Sequence, residues 1–187
     1  MIVDVACGVY HTCAVTSTGS IFTWGIAFSG HGEDIVLTPR LLQDPSSKGV
    51  ICVSTYYHTV CVTKAGEVFT WGWGYYGRLG HGDETHQYTP KRVEVLVGEK
   101  GKTVSCGMGH TAVCTEDGKV HTLGRGMYGS LGHGVKDDKA TPALVHALEG
   151  KHITQVQCGK HYSMALTSSG YVFTWGNAMD GWVPWSW

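Results

Sequence analysis

The stretch that decides the fold is Gly66-Glu-Val-Phe-Thr-Trp-Gly-Trp-Gly-Tyr-Tyr-Gly-Arg-Leu-Gly-His-Gly82. It predicts a strand, a glycine-rich turn, and then a path through Thr89-Pro90 to another strand. The stretch lies inside the segment from Val53 to Leu96, which the chain repeats about three and a half times. Self-similarity at a fixed period is the signature of a repeat architecture, so the repeat outweighs any local pattern.

Each repeat is marked by a histidine that precedes a threonine and a short apolar run. His11, His58 and His110 hold this position and Tyr162 replaces them in the fourth copy, with spacings of 47, 52 and 52 residues. Other marks keep the same register: the turn glycines Gly19, Gly66, Gly118 and Gly170; the large residues Trp24, Trp71, Leu123 and Trp175; the Gly-His-Gly triplets ending at Gly32, Gly82 and Gly134; and the pairs Thr38-Pro39, Thr89-Pro90 and Thr141-Pro142.

Each unit contains four short segments of strand character. They are rich in β-branched and aromatic residues and are separated by turn-forming residues. No window shows a sustained helical period, so helix is not expected beyond a turn or two. In the third unit the predicted strands are Thr103 to Cys106, His110 to Thr115, Lys119 to Leu123 and Ala143 to Leu148.

A period of about 50 residues with four strands predicts one β-propeller blade per unit. The fold class is therefore all-β, a partial β-propeller of about three and a half four-stranded antiparallel blades. We expect a single repeat domain over residues 1–187, with units at about 3–49, 50–101 and 102–153 and an incomplete unit at 154–187. The second strand, as in His110-Thr-Ala-Val-Cys-Thr, is apolar almost throughout, which fits a sheet covered on both faces by neighbouring blades.

The pattern V-x-C-G-x-x-H-T-x-A-V-T-x-x-G-x-[IV]-F-T-W-G…L-G-H-G…T-P resembles the regulator of chromosome condensation repeat family. The resemblance covers nearly all of residues 3–181. It implies blades of a ring that usually has seven, of which this chain supplies about half. The residues that carry it are Cys7-Gly8, His11-Thr12, Phe69-Thr-Trp-Gly72, Leu79-Gly-His-Gly82 and Thr89-Pro90.

The overall composition excludes several classes of function. The chain has 27 glycines, about twice the average share of about 7%, which agrees with turn-dense β structure. Its formal net charge of −1 gives no reason to expect a nucleic-acid partner. No apolar run is long enough to span a membrane, and the N-terminus has no signal-peptide pattern. The expected location is intracellular, either cytoplasmic or nuclear.

The seven cysteines predict reduced, structural thiols rather than a metal site. Cys7 and His11, like Cys106 and His110, have a C-x-x-x-H spacing. Zinc usually needs two close ligand pairs, whereas each of these pairs lies in a separate unit. No cofactor is expected either. The G-x-G-x-x-G matches at Gly72–Gly77 and Gly124–Gly129 lack the following helix that a dinucleotide site requires.

We assign the periodic residues to structural roles, because residues that recur with a repeat serve the repeated unit. They are His11, His58, His110, Trp24, Trp71, Trp175, Gly82 and Gly134. No serine, cysteine or carboxylate stands in a hydrolase motif, so we do not expect an enzyme. Light-sensing members of the family carry tryptophan in a G-W-R-H-T motif. Photoreception is not expected here, since the corresponding positions are Val9, Tyr56, Met108 and Lys160.

A half-ring leaves its first and last blade faces without neighbours. Several hundred Å2 of uncovered apolar face, at about 25 cal/mol per Å2, represents a deficit on the order of 10 kcal/mol. We therefore expect a homo-oligomer that completes a ring, a partner that covers the faces, or a longer chain of which this is a part. The apolar end Trp182-Val-Pro-Trp185-Ser-Trp187 indicates either a truncated or alternatively ended product, or a tail that caps the open side of the last blade.

The predicted function is a non-catalytic protein–protein interaction scaffold, because propellers place function in their rim loops. The candidate interaction residues are Asp83, Glu84, Asp137, Asp138, Trp182, Trp185 and Trp187. The alternative is a guanine-nucleotide exchange factor for a small GTPase, the activity of the family's founding member. That activity implies a wedge hairpin, for which the 52-residue spacings leave no room. A third possibility is substrate recruitment within a larger assembly such as a ubiquitin ligase.

Overall fold

Fifteen strands form the regular structure within residues 1–32, 35–42 and 49–177, which are the residues described by the computed structural model. The first sheet contains β1 (Ile2–Cys7), β2 (His11–Thr16), β3 (Ile21–Gly25) and β4 (Val36–Leu41). The second contains β5 (Val50–Thr55), β6 (His58–Thr63), β7 (Val68–Gly72) and β8 (Gln87–Arg92). The third contains β9 (Gly101–Cys106), β10 (His110–Thr115), β11 (Val120–Gly124) and β12 (Lys139–Leu144). The last contains β13 (Ile153–Cys158), β14 (Tyr162–Thr167) and β15 (Val172–Gly176).

Strands follow one another in chain order within each sheet, and every pairing is antiparallel. The first strands β1, β5, β9 and β13 contact one another from sheet to sheet, so they lie innermost and the fourth strands lie at the outer edge. The predicted all-β partial propeller of four-stranded antiparallel blades is confirmed. Among the described residues, the last blade has three strands.

The core consists of three apolar layers, one between each pair of blades. Strand β6 is buried along its whole length because its residues alternate between two layers. Cys61 packs toward the first blade, whereas Val60 and Val62 pack toward the third. The continuous apolar character of the second strand therefore reflects burial on both faces.

The fourth strand differs from its predicted position. In the third blade we expected a strand from Ala143 to Leu148, but β12 ends at Leu144 and His146–Leu148 forms a single 3-10 turn. The apolar residues Val145 and Leu148 suggested a strand, but they are buried by this turn instead. Pro142 lies inside β12, which is possible because an outer edge strand does not need every backbone N–H.

Candidate interaction surface

Connections between strands emerge at two opposite rims. The hairpins that join first to second strands lie on the same rim as the loops that join third to fourth strands, and we call it the long-loop rim. The opposite rim carries the tight hairpins between second and third strands and the links between blades, and we call it the short-hairpin rim. Blade stacking buries most side chains in the interior of a propeller, so the side chains available for contact lie at the two rims.

The histidines that open the second strands bond to the next blade. The Nε2 atom of His11 lies 2.6 Å from Thr59 Oγ1, and that of His58 lies 2.6 Å from Thr111 Oγ1. His110 Nε2 lies 2.9 Å from Ser163 Oγ. Ser163 donates its own proton to the Ser130 carbonyl oxygen, so His110 must be the donor in their bond. Each of these bonds joins the second strand of one blade to the second strand of the next.

Burial keeps these imidazoles neutral. Desolvation lowers the pKa of His11 and His110 to about 4, and it lowers the pKa of His58 well below its ordinary value. A neutral imidazole held by one fixed hydrogen bond inside the protein is suited to a structural role.

The Gly-His-Gly triplets fasten the long loops to the third strands. His81 Nε2 lies 3.0 Å from Thr70 Oγ1, and His133 Nε2 lies 3.0 Å from Thr122 Oγ1. The glycines after these histidines have left-handed backbones, with φ of 88° at Gly82 and 75° at Gly134. The Gly82 amide then donates to the Ala140 carbonyl oxygen in the next blade at 2.9 Å. The triplet ending at Gly82 thus joins its loop both to its own blade and to the next one.

The three blade tryptophans differ in burial. Trp71 is fully buried in the layer between the first two blades. Trp175 packs against the third blade, and its Nε1 donates to the Ser130 carbonyl oxygen at 2.9 Å. Trp24 occupies the equivalent position in the first blade and is half-buried. Trp182, Trp185 and Trp187 lie outside the described residues.

The acidic loop residues lie on the long-loop rim, and two of them support loop structure. Asp83 Oδ1 accepts the Thr85 amide at 2.8 Å, and Asp138 Oδ1 accepts the Gly126 amide at 2.8 Å. Glu84 and Asp137 are exposed. Nothing in this geometry gathers the acidic residues into one site.

An aromatic cluster on the long-loop rim was not predicted from the sequence. The ring centroids of Tyr57 and Trp73 are 5.0 Å apart, and those of Trp73 and Tyr75 are 5.6 Å apart. Phe28 from the first blade stacks on Tyr88 at 5.6 Å. These distances are typical of favourable aromatic pairs. We call this set the rim aromatic cluster; its members are Tyr10, Phe28, Tyr56, Tyr57, Trp73, Tyr75, His86 and Tyr88.

A sequence signal for this cluster existed in the G-x-G-x-x-G segments. Their glycines recur in two units, whereas the positions between them vary from Trp-Gly-Tyr-Tyr in the second unit to Arg-Gly-Met-Tyr in the third. Variable, bulky residues on a fixed loop framework indicate a recognition surface.

Residues 1–32, 35–42 and 49–177 hold no cluster of three or more metal-ligating side chains. The same residues form no helix of the length and apolarity needed to cross a bilayer. The seven cysteines are unbridged, with Cys13, Cys61, Cys106 and Cys114 buried.

The chain is similar to curated proteins over most of its own length. The human E3 ubiquitin-protein ligase HERC2 is 40% identical over 92% of this chain, which spans 3% of that protein. The Arabidopsis thaliana ultraviolet-B receptor UVR8 is 36% identical over 92% of this chain, which spans 40% of the receptor. The chain is therefore much shorter than the curated relatives that it matches.

Solved structures show the same fold. Human WBSCR16 superposes with a TM-score of 0.84 at 26% identity, covering 94% of this chain and 48% of its own. Prp20p from Saccharomyces cerevisiae superposes with a TM-score of 0.77 at 21% identity, covering 88% of this chain and 43% of its own. Models of the regulator of chromosome condensation (RCC1) repeat match residues 65–114 and 117–166, and a second model of that repeat matches residues 2–32. The chain therefore belongs to the regulator of chromosome condensation (RCC1) repeat family.

Proposed function

We propose that residues 1–187 act as one repeat domain whose function is non-catalytic protein–protein interaction through the long-loop rim. The observation that carries this proposal is the rim aromatic cluster, in which Tyr75 is 48% exposed while its ring contacts Trp73 and His86. Tyrosine, tryptophan and arginine are enriched at the energetic centres of protein interfaces. The aromatic surface fits that composition, since the guanidinium carbon of Arg78 also lies 6.0 Å from the Trp73 ring centroid.

The uncovered blade faces support an assembly rather than an isolated monomer. Val5 is 61% exposed, whereas the equivalent Val104 and Val156 are 4% and 1% exposed against their preceding blades. At the other end, Val172 is 57% exposed, whereas the equivalent Val120 is 1% exposed. We infer that a second copy, a partner protein or further repeats of a longer chain cover both faces.

Nucleotide exchange on a small GTPase is the second candidate. Yeast Prp20p, which shares the fold, has been studied for its binding to Gsp1p and histones. Within residues 1–32, 35–42 and 49–177, every strand belongs to a blade, so no wedge hairpin is found there. The ligase activity named for HERC2 suggests substrate recruitment as a third role, although the chain matches only 3% of that protein.

Affinity capture with nucleotide control separates these candidates. The purified chain is immobilised and exposed to native lysate with magnesium and GTP, or with EDTA, and the retained proteins are quantified by mass spectrometry. A scaffold is expected to retain the same proteins under both conditions. A small GTPase retained only after EDTA treatment would instead establish the exchange-factor role.

A further inference from the structure

A small cavity opens on the long-loop rim between the second and third blades. Its volume is about 180 Å3, below the range of roughly 300–1,000 Å3 that is typical of small-molecule sites. The rings of Tyr57, Trp73 and Tyr76 line one part of it, and Arg78 and Arg125 supply its charge. No carboxylate lies among the lining residues. The cavity is therefore of side-chain size, partly aromatic, and cationic.

Arg78 is held in a fixed orientation at this cavity. Only 3% of the residue is exposed. Its Nε donates to the Tyr75 carbonyl oxygen at 2.8 Å, and its Nη1 donates to the Met108 carbonyl oxygen at 2.7 Å. No ion pair joins Arg78 to a carboxylate within the described residues. A buried guanidinium with rigid donors and no counter-ion is preorganised for an anionic group.

Arg125 comes from the third blade and meets Arg78 across one ring. The guanidinium carbon of Arg125 lies 4.5 Å from the Tyr76 ring centroid, and that of Arg78 lies 5.4 Å from the same centroid. Both distances allow cation–π attraction. In the part of the chain that the structure describes, Arg125 also has no carboxylate partner. Two cations thus converge on one aromatic ring.

The backbone at Tyr76 is unusual for an aromatic residue. Its φ of 64° is left-handed, a conformation that costs a non-glycine residue free energy. Tyr128, at the equivalent position of the third blade, has the same φ of 64°, and Phe28 in the corresponding loop of the first blade has a φ of 55°. In the second blade the phenol ring of this residue lies near both arginines, with its centroid 5.4 Å from one guanidinium carbon and 4.5 Å from the other. The left-handed backbone at Tyr76 therefore determines where the ring of this residue lies in the cavity.

The convergence of like charges is unfavourable without an anion. Burial is the main cause that lowers the pKa of the Arg78 guanidinium. Among its neighbours, Tyr76 and Cys106 raise this pKa and the Arg125 cation lowers it. An incoming carboxylate relieves this repulsion. The exposed ring of Tyr75 lies beside the cavity and offers an apolar contact to the residue next to that carboxylate.

We propose that this cavity binds an aspartate or glutamate side chain of an acidic, extended segment in a partner protein, with an adjacent apolar side chain on the rim aromatic cluster. This inference rests on the proposed interaction function and specifies the chemistry of its partner. A single-stranded nucleic acid is a poorer occupant, because it requires a basic groove that follows the backbone. Here only two arginines converge, and the chain has a formal net charge of −1.

Peptide selection tests the proposal without a known partner. A phage library of short randomised peptides is selected on the intact chain and, separately, on the Arg125→Glu variant. Peptides enriched on the unaltered chain are expected to be rich in Asp and Glu, and selection on Arg125→Glu is expected to lose them. The absence of enrichment, or the same peptides on both proteins, would overturn the proposal.

Affinities then measure the effect of each charge. The best peptide carries a fluorescein label, and its anisotropy is followed with Arg125→Glu, with the milder Arg125→Gln, and with Lys64→Glu. Lys64 is exposed on the short-hairpin rim, so its reversal changes the net charge equally without touching the cavity. Both Arg125 variants are expected to weaken binding at least about tenfold, and Lys64→Glu is expected to leave it unchanged. Equal losses in all three variants would show a general charge effect and refute the site.

Modified probes distinguish other occupants. The same peptide with Asn and Gln in place of Asp and Glu is expected not to bind. An oligothymidine strand or a phosphoserine version that binds much more tightly than the acidic peptide would contradict the carboxylate assignment. If the acidic peptide fails while lysate proteins are still captured through the long-loop rim, this inference falls and the proposed interaction function stands.

Discussion

His110 donates a hydrogen bond across a blade interface while it is 1% exposed. The sequence predicted a structural role for this histidine because it recurs beside a hydroxyl residue. Its partner could not be read from the sequence, since Ser163 is 53 positions away. The contact depends on how the second strands of neighbouring blades align, which no local pattern encodes.

His110 is expected to make the protein acid-sensitive. Its folded pKa is lowered from 6.5 to about 4, so the unfolded chain binds a proton at pH values where the folded chain does not. The stabilisation is complete above pH 6.5 and is lost as the pH falls toward 4. The full shift corresponds to about 3 kcal/mol in the free energy of unfolding. Urea unfolding across this range measures the slope.

The control compares a buried with an exposed histidine. His110→Gln is expected to flatten the pH dependence of the unfolding free energy. His146→Gln is expected to preserve it, because the side chain of His146 is 78% exposed. An unchanged slope in His110→Gln would contradict the assigned role of burial.

Thr111 connects the second and third blades through its hydroxyl group. It accepts from His58 at 2.6 Å and donates to the Arg78 carbonyl oxygen at 2.8 Å. Thr111→Val keeps the shape and removes both bonds, leaving buried polar atoms without partners. We expect a loss of about 1–3 kcal/mol in the free energy of unfolding. Thr141→Val, at an exposed position in β12, is the matched control and is expected to change little.

At the scale of elements, the hairpin between β9 and β10 is shaped by one close approach. A Cβ atom on Gly107 would lie 2.2 Å from His110 Cε1 and 2.7 Å from the Gly159 carbonyl oxygen. Gly107→Ala must therefore displace the His110 ring and is expected to destabilise the protein by about 2–3 kcal/mol. Thermal or urea unfolding provides the measurement. An NMR titration is expected to show the displaced imidazole gaining a proton closer to pH 6.5.

The matched variant is Gly134→Ala, which adds the same methyl group where nothing lies within 4 Å. Its cost comes from the left-handed backbone alone, about 1 kcal/mol. In the Gly134→Ala variant, His110 is expected to keep its lowered pKa of about 4. If His110 keeps its lowered pKa in Gly107→Ala as well, the close approach of Gly107 does not position the histidine.

The strands themselves could largely be predicted, and the exception is instructive. The first three strands of each blade follow apolar runs bounded by turn glycines. The fourth was placed too late in the third blade, because Val145 and Leu148 look like strand residues but are buried by a 3-10 turn. Composition alone does not distinguish an apolar strand from an apolar turn that closes a blade layer.

At the scale of the whole molecule, the two uncovered faces are expected to drive association. Every second residue of β14 is only half-buried, because the described residues form no further blade against that face. Sedimentation velocity is expected to give masses above 20.2 kDa that increase with concentration. Val5→Lys and Val172→Lys are each expected to shift the chain toward the monomer, because each places a charge on one uncovered face.

Val97→Lys controls for added charge at an exposed valine. Val97 is 58% exposed on the short-hairpin rim, outside both open faces. The Val97→Lys substitution is expected to leave the association unchanged. A monomer at all concentrations for the unaltered chain would contradict self-association through the faces and leave a partner protein or further repeats to cover them.

The half-ring could be predicted by counting repeats. The variable residues of the G-x-G-x-x-G segments indicate a surface on the rim, but they do not show which rings meet in the rim aromatic cluster. It combines Phe28 of the first blade with Trp73 and Tyr88 of the second. These residues occupy loop positions that differ from unit to unit, so the repeat gives no register for them. Their proximity follows only once neighbouring blades are stacked around the axis.

A comparison of the two rims tests whether the long-loop rim is the interaction surface. Tyr75 and Tyr171 are both exposed, at 48% and 71%, on the long-loop and short-hairpin rims respectively. Quantitative capture from native lysate is carried out with the unaltered chain, Tyr75→Ser and Tyr171→Ser. Tyr75→Ser is expected to lose most of the retained protein, and Tyr171→Ser is expected to keep it. Full retention by Tyr75→Ser would contradict an interaction surface on the long-loop rim.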